Sequence, residues 1–412
     1  MEQNKAAHLI TGCYASTPTE KLLIEANLVP LKERGKILAT KAREKYKRDP
    51  SNPNHHIVNS NINPKTEREK EGRSWRPNAK ASAIKIGIEK LKTENIIKTC
   101  SVPPWHTSNG LKLFPNLIDG KCKREDKNEL KRLVEETIKE KKANADMIIY
   151  TDGSVQEDQK NGGSGCFITS QDSSEEEISS PAGKICSSFR AEVIAIHKAL
   201  EIASNRLKEK NVVIFTDSQS VIRKLEEGPT NNIDWHINEI WKCMQTLDNN
   251  KCKVTIQWVP GHEEIEGNER VDEIAKKATT LPQSEVKIDY KTVKAATNRE
   301  IENNWKRSID HLLWKPGSQA ESNFSREERC KIAQIRTGHS LSLKAYQKRL
   351  GKIDDDTCER CKLEEEDRDH LLFTCPASTN ERLEYFGHRI MPPNSKVNPT
   401  DLRDFLKKMG RL

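Results

Sequence analysis

The chain predicts a mixed α/β layer fold across residues 146–280, with basic helical extensions on both sides. Three observations support this. Two β-branched and aromatic runs, Ile148-Ile149-Tyr150-Thr151-Asp152 and Val213-Ile214-Phe215-Thr216-Asp217, end alike, at Thr-Asp and a small polar residue. Between and after them lie stretches whose apolar residues recur at helical period. The extensions are charged and poor in continuous apolar pattern.

The elements follow in order. Met147–Thr151 reads as a strand, Gly165–Thr169 as a second and Ile178–Ile185 as a third, the last two joined by the acidic turn Asp172-Ser173-Ser174-Glu175. Phe189, Val193, Ile196, Leu200 and Ala203 then form one helical stripe over 188–204. Val212–Thr216 is the fourth strand, and a helix from Ser218 to Glu226 ends at Gly228-Pro229. Trp235–Leu247 is a helix and Lys253–Val259 the fifth strand. The last helix starts at Glu269, with Asn268 as its expected cap and Val271, Ile274, Ala275 and Ala278 as its buried face.

Flanking regions are less defined. Residues 1–48 read as helical and 49–142 as a basic linker with helices. Residues 285–390 read as a helical region containing a Cys/His cluster at 358–375, and 391–412 as a tail. The folded segment itself is set at 143–281.

Composition bounds the function. Of 412 residues, 34% are apolar and 32% charged, so one core spanning the whole chain is not expected. Net charge is +8, unevenly spread. Residues 1–145 hold 30 Lys/Arg against 18 Asp/Glu, or +12; residues 146–280 hold 15 against 23, or −8; the remainder is +4. Basic flanks around an acidic centre suit a polyanionic partner, although ordinary solvated surface would look the same by charge alone. There is no apolar run near Met1 of the kind a secretory signal requires, and none long enough to span a membrane. The eleven cysteines show no regular disulfide-like spacing, so an intracellular protein with reduced thiols and no membrane partner is expected.

Parallel strands lie about 4.8 Å apart, so Asp152 and Asp217 at neighbouring strand ends would sit at a spacing suited to a shared hard metal. Glu192 lies on the same side of its helix as Ala195, Ile196 and Ala199, which aims it toward the sheet. An ionised glutamate buried without a partner costs several kcal/mol, and a divalent cation removes that cost. Asp272 falls in the first turn of the last expected helix, where a dipole-favoured acid is the alternative. Taken singly, each acid could be a turn, cap or solvated residue.

The set TDGS at 151–154, FRAE at 189–192, TDSQ at 216–219, and WVPGH with GNERVDE at 258–273 resembles a type 1 ribonuclease H domain. The resemblance implies a five-stranded mixed sheet flanked by helices, and cleavage of the RNA strand of RNA–DNA hybrids with two Mg²⁺ ions. It further implies that Asp152, Glu192, Asp217 and Asp272 bind the metal and that His262 on a mobile loop assists proton transfer and product release. Ser154 and Gln219 match positions near the bound hybrid. One departure is the lack of a Lys/Arg-rich insertion between Asp217 and His262, as in retroelement versions of the domain. Hybrid affinity would then come from the basic flanks or from an accompanying polymerase. An integrase or a junction-cutting nuclease on the same fold, and a non-catalytic nucleic-acid-binding remnant, are the competing expectations.

Cys358-x2-Cys361-x8-His370-x4-Cys375 has the ligand types and spacing of a structural Zn²⁺ site, one ion per chain. Chance placement in a helical tail is the alternative. The stretch from Ile335-Arg336-Thr337-Gly338-His339 to Cys375-Pro376 resembles the C-terminal tail of non-LTR retrotransposon polyproteins. Leu9-Ile10-Thr11-Gly12-Cys13-Tyr14-Ala15-Ser16-Thr17-Pro18 is similar to the segment past the reverse transcriptase thumb in those elements. No apolar-flanked Asp-Asp pair of polymerase type occurs. The resemblance thus implies the C-terminal third of such a polyprotein, with single-stranded nucleic acid as a further partner and a reverse transcriptase supplied by a full-length element.

Overall fold

The computed structural model describes residues 2–60, 75–103, 110–118, 127–157, 161–230, 234–261, 265–283, 285–307, 319–391 and 397–412. It divides into two compact units, Met1–Ile37 with Arg299–Leu412, and Leu38–Asn298. No helix among the described residues is long and apolar enough to cross a membrane.

The second unit is built on a mixed sheet of six strands, one more than the sequence predicts. The strands are β1 (Leu111–Phe114), β2 (Met147–Val155), β3 (Asn161–Ser170), β4 (Glu175–Lys184), β5 (Asn211–Thr216) and β6 (Lys253–Trp258), in the order β1-β6-β5-β2-β3-β4. β2, β3 and β4 form an antiparallel meander, while β5, β6 and β1 join in parallel with β2. The added strand comes from the expected linker. Its four residues are too few to show a period of their own; parallel pairing with β6 in the register Leu111↔Val254 makes them a strand.

Residue alternation sorts the two faces. Ile149, Ile168, Ile214 and Ile256 lie in one core with helices α2 (Ser188–Arg206), α3 (Gln219–Glu226) and α4 (Trp235–Asn249). Tyr150, Phe167 and Phe215 lie in the other, with α5 (Glu266–Ala278). Helix α1 (Lys127–Lys142) joins this side: Leu130, Leu133 and Val134 pack with Leu117 and against Trp258 and Ile265. The expected helices and strands all appear, several a few residues longer. The last helix differs in its start. It begins at Glu266 with Ile265 as its cap, not at Glu269 after Asn268, because Gly267 lets the first turn close onto the Tyr150 ring. A Cβ there would lie 2.4 Å from that ring.

A second close approach seats α5 on the sheet. At Gly163 of β3 a Cβ would fall 2.3 Å from the carbonyl oxygen of Ala275 and 2.5 Å from the amide nitrogen of Thr279. We predict that Gly163→Ala lowers stability by about 1–3 kcal/mol, the usual cost of overpacking, read as a lower urea midpoint at unchanged slope.

In the first unit, helix Arg326–Thr337 opens on a Ser325/Glu328 capping box and closes on Gly338 in the left-handed conformation. Its Ile332 and Ile335 share a core with Leu343, Tyr346, Leu371, Leu372 and Phe405. The Cys/His cluster lies in this unit.

Candidate active site and metal centres

Two strands and one helix bring the acids together. Thr151 on β2 pairs with Thr216 on β5 in parallel register, so Asp152 and Asp217 emerge side by side. Helix α2 starts at a Ser187 cap whose hydroxyl accepts from the Arg190 N–H. It crosses β2 where Gly153 leaves room: a Cβ on Gly153 would lie 2.3 Å from the Glu192 amide nitrogen. One carboxylate oxygen each from Asp152, Glu192 and Asp217 consequently falls within 4.8 Å of the others.

Asp272 lies in the second turn of α5, not the first, so the dipole explanation no longer applies to it. It lines the same cleft of about 570 Å³ as the three clustered acids, Ser154 and Asn268, but its oxygens stand outside the tight trio. It pairs instead with Lys276 at 2.5 Å, one helical turn on. That i,i+4 spacing is readable in the sequence, although Lys276 is not a residue the motifs point to. His262 lies outside the described residues. Ser154 is in β2 opposite Gly163. Gln219, first residue of α3, donates from Nε2 to the Pro115 carbonyl at 2.6 Å and to Asn116 Oδ1 at 3.3 Å.

The electrostatics of the trio are those of crowded, partly buried carboxyls. Burial first, then the charges of Asp152 and Asp217, push the Glu192 carboxyl well above the ordinary carboxylate range. Burial, then Asp217 and Asp272, push Asp152 up to about 7. Glu192 Oε2 is buried and has no hydrogen-bond partner. Buried polar atoms are normally satisfied, so an orphaned carboxylate oxygen beside two more carboxylates fits a divalent cation that takes oxygen ligands.

Two residues before Glu192, Arg190 fixes the start of α2. Its guanidinium meets Glu94, Asp234 at 3.0 Å and Asp289 at 3.1 Å, and donates to the Lys287 carbonyl at 2.9 Å. Burial works against its charge, but Asp289, Glu94 and Asp234 outweigh burial and hold it above its ordinary range. Glu94 and Asp289 come from chain segments brought together by the parallel bridge Thr93↔Ile288.

In the first unit, the ligand atoms of Cys358, Cys361, His370 and Cys375 also lie within 4.8 Å of one another. The Cys358 and Cys375 sulfurs are 3.9 Å apart, and Cys361 Sγ is 3.3 Å from His370 Nε2. His370 Nδ1 faces Glu364 at 3.1 Å, the kind of outer contact that orients a metal-binding imidazole. Burial raises the Cys361 thiol, but hydrogen bonds from the Leu363 and Glu364 amides, together with Cys358 and His370, bring it down to about 7. Three sulfurs and one imidazole nitrogen at this spacing suit tetrahedral Zn²⁺.

Fold and site together define a mixed α/β domain with a carboxylate-lined cleft at the ends of two neighbouring parallel strands. Comparison with known proteins gives the family. The RNase H family model matches residues 144–280. The ribonuclease H of Francisella philomiragia subsp. philomiragia is 33% identical over 146 residues, covering 32% of this chain and 90% of that protein. The ribonuclease H of Francisella tularensis subsp. novicida is 32% identical over the same length, with the same coverage. The chain belongs to the ribonuclease H family. A crystal structure of LC11-RNase H1 in complex with RNA/DNA hybrid also matches, at 23% identity and a TM-score of 0.27, covering 32% of this chain and 96% of that one.

Proposed function

We propose that this protein cleaves the RNA strand of RNA–DNA hybrids at the Asp152–Glu192–Asp217–Asp272 cleft, with two Mg²⁺ ions. The observation that carries the reading is the unpartnered, buried Glu192 Oε2 beside two further carboxylates. When bound, two such ions supply an activated water and charge neutralisation at the departing oxygen of a phosphodiester. Asp152, Glu192 and Asp217 would hold the metal, with Asp272 at the rim. Asp217 follows the last residue of β5 and Glu192 lies in the second turn of α2, and these elements set both beside Asp152. Trp258 Nε1 donates to the Asp217 carbonyl at 3.0 Å and steadies that strand end. His262 moves the proton, and Ser154 and Gln219 meet the hybrid, with the 2′-hydroxyl as the group that distinguishes RNA.

The chain is read further as the C-terminal part of a non-LTR retrotransposon polyprotein. Its hybrid-cleaving domain spans 143–281, a post-thumb segment 1–48 precedes it, and a zinc-stabilised tail follows. The runs at 9–18 and 335–376 and the clustered Cys/His ligands support this. Its partners are then the hybrid, single-stranded nucleic acid, and a reverse transcriptase from a full-length element. The zinc reading predicts about one Zn²⁺ per chain by metal analysis of reduced protein, lost in Cys358→Ser together with the heat stability of the first unit.

A strand-resolved cleavage assay tests the nuclease reading. With Mg²⁺, the full chain is expected to cut the labelled RNA of a hybrid and to leave the DNA strand and an RNA duplex intact. Binding of hybrid without any cutting would favour a non-catalytic remnant.

A further inference from the structure

We propose that the turn after β1, Pro115–Leu117, is a substrate-positioning element: it fixes Gln219 with its amide oxygen free to accept a hydrogen bond from a donor in the minor groove of bound nucleic acid. The turn lies outside the segment that the family model matches, residues 144–280. The inference rests on the hybrid-binding reading of the cleft.

Three anchors make the turn rigid. The strand before it is paired along β6. The buried Gln257 side chain donates to the Asn116 carbonyl at 2.9 Å and to the Trp258 carbonyl at 2.8 Å. Leu117 is buried beneath Leu130, Leu133 and Val134 of α1. Against this frame the Gln219 carboxamide has one orientation. The Pro115 carbonyl can only accept, so the amide nitrogen must face it at 2.6 Å, and Asn116 Oδ1 takes the second N–H at 3.3 Å. Both donors of the amide are then used. Oε1 has no hydrogen-bond partner among the described residues, and Gln219 sits two positions after the clustered Asp217.

An amide oxygen held this way discriminates by chemistry. Phosphate oxygens only accept, so they cannot bond it. The donors in the minor groove of a hybrid are the RNA 2′-hydroxyl and the guanine 2-amino group. Gln219 would therefore read one of these two donors, and the β1 turn determines that it reads a donor at all.

The test uses the full chain and a fluorescent hybrid, with affinity measured by anisotropy in Ca²⁺ and turnover in Mg²⁺. Asn116→Ala removes one of the two acceptors on the amide. It is expected to weaken hybrid binding and raise KM about fivefold, the worth of one neutral hydrogen bond, with kcat within about twofold. Asn116 is exposed, so melting should be unchanged. In a Gln219→Ala background the same substitution should have no further effect. Hybrids carrying single 2′-fluoro riboses, or inosine in place of single guanosines, identify the donor: one series should penalise wild type and not Gln219→Ala. The proposal is overturned if Asn116→Ala loses the same factor with and without Gln219, or if neither series separates wild type from Gln219→Ala. Cleavage without this coupling removes the positioning role alone. Coupling in the binding data without cleavage supports the positioning role and removes the nuclease reading.

Discussion

Glu192→Gln is expected to abolish hybrid cleavage and, in metal-free protein at pH 8, to raise the melting temperature. The two effects have one origin. Losing a carboxylate from the cluster removes an ion ligand whose electrostatic work is worth several kcal/mol, so turnover should fall about a thousandfold or more. The same carboxylate, without an ion, is a buried charge with an unsatisfied oxygen near two like charges. The sign of its pH dependence follows. Both Glu192 and Asp152 have carboxyls raised in the folded state, Asp152 to about 7. The folded form therefore binds more protons than the unfolded chain once pH exceeds the ordinary carboxyl range. Stability falls as pH rises through that window, and the penalty is complete above the folded values. Metal-free wild type should thus melt lower at pH 8 than at pH 5. Glu192→Gln should flatten that dependence, with a gain of roughly 2–4 °C for each kcal/mol relieved in a unit of this size. Mg²⁺ should raise the melting point of wild type more than that of the variant. Calorimetry in EDTA and in Mg²⁺ checks each statement; a variant less stable than wild type at pH 8 in EDTA would refute the electrostatic account.

The second large effect is at Arg190. Arg190→Met removes the only cation that meets Glu94, Asp234 and Asp289 in the described ion pairs around them, apart from the distant His236 contact of Glu94 at 3.8 Å. Removing one partner from a buried ionic cluster typically costs about 3–5 kcal/mol, because the remaining charges stay buried without compensation. The guanidinium also joins segments on either side of the family domain to the first turn of α2, so its loss should loosen the helix that presents Glu192. We expect a large drop in the denaturant midpoint, with partial recovery when Glu94→Gln and Asp289→Asn are added. Recovery would show that stranded charge, and not lost packing, sets the cost.

The acid trio was legible in the sequence because each member sits on a strong local signal. The Thr-Asp endings close runs of β-branched residues, and Glu192 shares a helix face with small apolar residues. The Cys/His spacing is likewise local. What the sequence could not show depends on pairing between distant segments. Leu111–Phe114 is too short to have a period, and it becomes a strand only against β6. Glu94 and Asp289 look like solvated charges until a parallel bridge brings them to Arg190. The start of α5 is hidden in the sequence because Glu266-Gly267 reads as loop; the glycine is there to admit the Tyr150 ring. Gln219 is marked by its motif, but the turn that holds its amide lies more than a hundred residues earlier.

The most direct measurement is anomalous scattering from a crystal of the protein soaked in Mn²⁺. Strong peaks bounded by the carboxylates of Asp152, Glu192 and Asp217 are predicted. A crystal saturated in Mn²⁺ with no peak among those three side chains would contradict the account.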